Sequence, residues 1–131
     1  MKITYIQAKK ALNTIVQTLP NGQTKKSELA KAKGDVGLKA YHLKHDLFDA
    51  IKAEIDKEQE LWDRFLEIEE KLKKKRDKAL EKEKENINDE HRDLNQVEVE
   101  IKLTKGKFKI DEVKQYLDMV ELEALEFAID F

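Results

Sequence analysis

Cysteine is absent from these 131 residues, proline occurs once, glycine four times, and aromatic side chains make up only 7% of the chain. Each shortage excludes something. Without thiols there is neither a disulfide framework nor a thiolate metal site, which fits a reducing compartment and leaves stability to packing. Scarce proline and glycine leave little turn material, so long helices with solvated surfaces are expected. No apolar run approaches the roughly 20 residues a membrane-spanning helix needs, and the amino terminus has no hydrophobic signal core. The expectation is a protein that stays in the cytoplasm, without a membrane role.

Charge is what the chain has in abundance: 41% of residues are charged, yet they balance to a net charge of -2. The balance is uneven along the sequence. Residues 1–34 carry seven lysines against Glu28 alone, residues 35–68 carry 5 bases against 9 acids, residues 69–95 balance at 9 and 9, and residues 96–131 carry 5 against 9. The beginning is basic and the end acidic. A basic start suits an anionic partner, but acidic segments of the same chain or of a second copy meet it equally well.

Periodicity organises the length into one expected domain, residues 1–131. Thr4 and Gln7 have capping-box spacing, and Tyr5, Ala8, Leu12, Ile15, Val16 and Leu19 follow at helical intervals, predicting a helix over 4–18. Leu19-Pro20-Asn21-Gly22 ends it. Residues 19–37 read as a basic linker in which 24–33 forms a short helix capped by Thr24, with Gly34-Asp35-Val36-Gly37 as a break. No proline or glycine occurs from Leu38 to Asn86, and the stripe Leu38, Tyr41, Phe48, Ile51, Ile55, Trp62, Phe65, Leu66, Leu72, Leu80 and Ile87 predicts a long charged helix over 38–86. Such a helix would be about 70 Å long. Its second half is nearly all charge, so the alternative is a turn back near Asn86-Ile87-Asn88-Asp89. Tyr41, Phe48, Ile55 and Trp62 form one heptad column whose next members are Glu69, Arg76 and Glu83, so a regular coiled coil is not expected beyond Leu72.

After Asn95 the period becomes two. Val97, Val99, Ile101 and Leu103 alternate with charged residues, Thr104-Lys105-Gly106-Lys107 is turn-like, and Phe108 and Ile110 resume the alternation, predicting a hairpin over 96–110. Asp111 then caps the first of the carboxy-terminal helices over 111–131. The expected fold is mainly α with a small β-hairpin (α+β). Its long central helix would be packed by the amino-terminal helix, the hairpin and the short helices. A two-stranded hairpin is not stable alone and should lie on the aromatic-rich stretch from Tyr41 to Leu66.

Chemistry-bearing constellations are few. His42 with Asp46 and His45 with Asp49 have i, i+4 spacing that lets two side chains grip one ion, but no second pair completes the three or four ligands a site requires, beyond a lone His91 beside Asp89 and Glu90. Asp56, Glu60, Asp63 and Glu67 form an acidic row interleaved with Lys57 and Arg64, which reads as a solvated face. There is no glycine-rich phosphate loop, nucleophile elbow or cysteine–histidine pairing. The residues imply no enzyme, no cofactor and no metal. Ser27-Glu28-Leu29-Ala30-Lys31-Ala32-Lys33-Gly34 has features of the first helix and turn of a helix-turn-helix, so an alternative is a nucleic-acid-binding regulator using Lys25, Lys26, Lys31 and Lys33. Trp62 and Phe65 read either as interface anchors or as core beneath the hairpin.

The layout resembles a family of small proteins of unknown function that tailed bacteriophages and prophages of Gram-positive and gut bacteria encode. The resemblance rests on three parts. They are Met1-Lys2-Ile3-Thr4 running into an alanine-containing helix, the charged central helix, and an end in which Val97-Glu98-Val99-Glu100-Ile101 leads to Phe108-Lys109-Ile110-Asp111-Glu112-Val113 and then Val120-Glu121-Leu122-Glu123-Ala124-Leu125. It covers about half the chain, with Pro20 to Gly37 as an insertion. It implies a phage protein of the bacterial cytoplasm. The functional expectation is therefore a non-enzymatic interaction protein, active in virion assembly or as a modulator of a bacterial or phage protein. Its partner-binding residues would be Trp62, Phe65, Glu121, Glu123 and Glu126, and a second copy of the chain is among the partners considered.

Overall fold

The computed structural model describes residues 1–18, 21 and 23–131; the side chains of residues 17, 18 and 24–26 also lie outside the description. The fold is mainly α with small two-stranded sheets. The chain opens with strand β1 (Lys2–Thr4) and helix α1 (Tyr5–Ile15). The expected capping box forms: the Thr4 hydroxyl accepts from the Gln7 backbone N–H, and the Gln7 side chain accepts from the Thr4 N–H.

Helix α1 stops three residues sooner than the pattern predicts. Val16–Thr18 becomes strand β2 and pairs antiparallel with β3 (Thr24–Lys26), in register Val16 with Lys26 and Thr18 with Thr24. Leu19, Pro20 and Gly22 of the expected stop lie outside the described residues. The predicted short helix over 24–33 does not form, because its first residues satisfy their backbone groups across this hairpin. A turn follows, in which Ser27 Oγ accepts from Ala30 N–H at 3.1 Å and Leu29 is fully buried. The residues read as a break, Gly34 to Gly37, begin helix α2 (Gly34–Lys74). Gly34, with φ of 70°, makes the left-handed turn into it, a conformation that costs a residue with Cβ about 1–2 kcal/mol. Gly37 is needed for a different reason. A Cβ there would overlap the backbone carbonyl of Ala32.

The long helix does not run to Asn86. It ends at Lys74, three extended or irregular residues follow, and α3 (Lys78–Asn95) folds back along it. No proline or glycine marks the place. What does is a run of like charges, Lys73-Lys74-Lys75-Arg76, followed by Asp77, whose carboxylate accepts from Ala79 N–H at 2.8 Å and caps α3. The reversal buries Ile68 of α2 and Ile87 of α3 in two helices whose other faces are largely charged. Asn86 to Asp89, the alternative turning point, sit in the middle of α3.

The predicted carboxy-terminal hairpin is also replaced. Strand β4 (Glu98–Glu100) pairs antiparallel with β1, matching Ile3 to Val99, whereas β5 (Phe108–Lys109) pairs in parallel with β6 (Ile129–Asp130). Alternation identified the strands but could not identify their partners. Both partners, at the two ends of the sequence, are too short to show a period. Between β5 and β6 lie α4 (Ile110–Val113), α5 (Met119–Ala124) and a 3-10 turn, so residues 111–131 are less helical than expected. Asp111 is not a cap; Asp118 is, in a capping box with Glu121.

One cluster of buried side chains joins these pieces: Tyr5, Ala8, Ala11 and Ile15 of α1, Ala40, Leu43, Leu47 and Ile51 of α2, Leu94 of α3, and Val99, Ile101, Phe108, Val113, Leu125 and Ile129 from the last third. The alanines bring α1 close to α2, and the carboxy-terminal segment closes over both. Gly37→Ala is expected to destabilise the protein by about 2–3 kcal/mol, because overlap with backbone outweighs the helix propensity gained. Gly106→Ala, at φ 73° but in open space, should cost about 1 kcal/mol. Urea denaturation midpoints of the two variants will show whether Gly37 is the costlier site.

Candidate functional site

Helix α2 carries two faces because its apolar residues follow two interleaved rows. One row, Ala40, Leu43, Leu47 and Ile51, is buried in the core. The other, Leu38, Tyr41, Phe48, Trp62 and Leu66, lies at solvent with each side chain between 43 and 56% exposed. The aromatic-rich stretch is therefore not the floor beneath a hairpin. The exposed row, with Ile55, continues at alternating steps of three and four through His45, Lys52 and Gln59, which is the a/d spacing of a coiled-coil seam. Near its middle is a hollow of about 380 Å³ lined by Phe48, Asp49, Lys52, Ile55 and Asp56. In a coiled coil, residues so spaced make the hole that accepts a knob from a facing helix.

Trp62 stands at the border of this face with α3. Its ring meets Phe65 edge-on at 5.7 Å between centroids and His91 at 5.5 Å. Phe65 turns into the α2/α3 seam, with Lys84 Nζ 5.0 Å from its ring centroid. Of the two expected anchors, Trp62 is presented outward and Phe65 supports it from behind.

Beside them, α1, α2 and α3 converge on Glu58, a carboxylate only 15% exposed. Lys9 Nζ lies 2.8 Å from both of its oxygens, Tyr5 Oη donates at 3.3 Å, and His91 Nε2 is 2.7 Å away. A carboxylate oxygen accepts only, so Nε2 carries the proton in this bond. Burial works to raise the Glu58 pKa, but the hydrogen bonds and charges of Lys9 and His91 outweigh it and hold the carboxyl below its ordinary range. Burial, reinforced by the Glu58 charge, pushes the Tyr5 phenol far above its usual value. The small cleft above His91 is walled by Leu61, Trp62, Phe65, Ile87 and Asn88. The sequence showed His91 only as a lone histidine, since its partner lies 33 residues away and the pairing follows from a turn the sequence did not locate.

The acidic residues expected to bind a partner lie elsewhere. Glu121, Glu123 and Glu126 line an open groove of about 730 Å³ between α1 and α5, facing Gln7, Lys10 and Asn13. Glu121 already serves the α5 capping box, whereas Glu123 and Glu126 are exposed, close in sequence to the exposed Met119 and Val120. The structure does not bring Trp62 and Phe65 together with these acids.

For the nucleic-acid alternative, the Ser27–Gly34 segment lacks the helix that a helix-turn-helix requires. Lys31 and Lys33 are exposed, with Lys31 3.9 Å from Glu28; the side chains of Lys25 and Lys26 lie outside the described residues. In each histidine–aspartate pair one member is engaged elsewhere. Asp46 accepts from Thr104 N–H at 2.9 Å and Oγ1 at 2.6 Å, and His45 packs on Tyr41. Among the described residues no group of three or more His, Asp or Glu could hold a metal ion, and no helix is long and apolar enough to cross a membrane. Comparison with protein-family models, with curated proteins and with solved structures gave no match.

The Glu58 cluster predicts an acid limb to stability. A carboxylate whose folded pKa is depressed stabilises the fold above its unfolded pKa, near 4.3, and loses that contribution as pH falls through the folded value. Glu58→Gln is expected to lower stability at pH 7 by about 1–3 kcal/mol, as for hydrogen bonds to a charged group. It should also flatten the decline below about pH 4.3. Urea titrations between neutral and acid pH test both; an unchanged acid limb in the variant would mean that Glu58 does not set it.

Proposed function

We propose that this chain is a non-enzymatic interaction protein whose outer α2 face receives an α-helix of a protein partner. The phage resemblance gives that partner a setting: the chain is phage-encoded, works in the host cytoplasm, and assists virion assembly or modulates a bacterial or phage protein. The observation that carries the reading is the exposed a/d row from Leu38 to Leu66 with its central hollow. Burial of a large apolar side chain is worth about 1.5–3 kcal/mol, so leaving five at solvent on one face forgoes stability that a partner would recover. The row spans about 42 Å, the length of a four-heptad helix.

Its test uses a photo-crosslinking amino acid placed at Lys52, in the hollow, or at the exposed Lys114, in cells carrying the rest of the phage or host proteome. Position 52 is expected to cross-link a protein, position 114 not, and Phe48→Glu should abolish the product. Because Phe48 is outside the core, that variant should stay within about 0.5 kcal/mol of the parent stability. Equal yields at the two positions, or a product indifferent to Phe48→Glu, would exclude this face as the binding site.

A further inference from the structure

The charges beside the seam define the helix that fits it. Asp49, Asp56 and Asp63 each follow a seam residue, Phe48, Ile55 and Trp62, by one position, so they recur every seven residues along its solvent edge. Asp49 and Asp56 form the rim of the hollow, and Asp63 accepts from Gln59 Nε2 at 2.9 Å. All three are exposed, and among the described residues none forms an ion pair. In helix pairing, residues at this flanking position choose the partner by charge.

We infer that the occupant of the α2 face is a helix of another protein bearing lysine or arginine opposite Asp49, Asp56 and Asp63, and not a second copy of this chain. The inference rests on the helix-docking reading above and specifies its partner. Self-pairing is opposed in both directions. Two antiparallel copies with Leu38 opposite Trp62 place the aspartate edges together, Asp49 against its own counterpart. Two parallel copies stack Lys52 on Lys52 and His45 on His45 inside the seam. The aspartates and lysines so placed disfavour the homodimer, whereas a basic-flanked helix gains three attractive pairs.

The area argues that charge matters here. A large side chain offers about 150–250 Å², so five half-exposed ones supply about 500 Å² on this side. A standard interface hides about 800 Å² per partner, and the remainder must come from the flanks where the aspartates lie.

The test uses the full chain and two synthetic four-heptad peptides with leucine at every a and d position, one with lysine at e and g and the other with glutamate. Fluorescence anisotropy at low salt should show the lysine peptide binding at least about tenfold more tightly, as three exposed pairs of about 0.2–1 kcal/mol each allow. The preference should shrink in 0.5 M salt, reverse in the triple variant Asp49→Lys/Asp56→Lys/Asp63→Lys, and both affinities should fall in Phe48→Glu. Circular dichroism confirms that each variant is folded, and sedimentation should find the chain monomeric at 15.4 kDa. Equal binding of the two peptides, or a preference the triple variant does not reverse, overturns the charge inference and leaves helix docking standing. Binding of neither peptide overturns both, and a dimer that Phe48→Glu dissolves overturns the inference by making the second copy the occupant.

Discussion

A carboxylate shielded from water must be met by donors held in place, and Glu58 obtains its donors from two other helices. Leaving it buried and unpaired would cost several kcal/mol, so Lys9 and Tyr5 fix α1 against α2 while His91 fixes α3 on the other side. The consequences run around the molecule. With α1 placed, its cap at Thr4 places β1; with α3 placed, the short link after Asn95 places β4; and β1 and β4 then pair through Ile3 and Val99. Pairing the first and last parts of a polar chain this way closes a ring of constraints that neither helix packing nor a three-residue strand would set alone.

Within that frame α2 divides its apolar residues by size. The buried face uses alanine, leucine and isoleucine, and most of the helix's aromatic side chains are outside. The chain has nine aromatic residues, and of these Tyr5 and Phe108 are fully enclosed. A sequence shaped only by folding would place such side chains in the core, where each contributes most. Their regular exposure along one face, with Asp49, Asp56 and Asp63 along one edge, is the observation from which the helix-docking proposal starts.

Sequence and structure agree where the signal is local, and part where it depends on a distant partner. Thr4 and Gln7 are three residues apart and form the capping box as read. The α+β class follows from composition and period. Alternation from Val97 to Leu103 identified β4, but its partner is Lys2–Thr4, a segment with no period of its own. The turn at Lys75-Arg76-Asp77 contains no glycine or proline, because what the reversal gains there is tertiary: Ile68 on α2 and Ile87 on α3 both become buried. For the candidate site, the heptad column Tyr41, Phe48, Ile55 and Trp62 was legible as spacing. Which side of α2 it occupied was not, since the buried row Ala40, Leu43, Leu47 and Ile51 is also apolar at helical spacing and only the distant partners that cover it decide between the two.

The same reversal explains why the exposed row ends where it does. After Leu66 the next seam position is Glu69, whose carboxylate is 3.2 Å from Lys84 of α3, so from there onward α3 begins to claim the helix. Arg64 bonds Glu90 at 3.2 Å on that side as well, and Trp62 leans on His91. The internal helical pair and the outer face therefore meet at Trp62, and Glu58 sits one turn below it. Beyond Leu66 the seam positions of α2 face the first half of α3, and a partner helix longer than the row would meet Lys84 at Glu69.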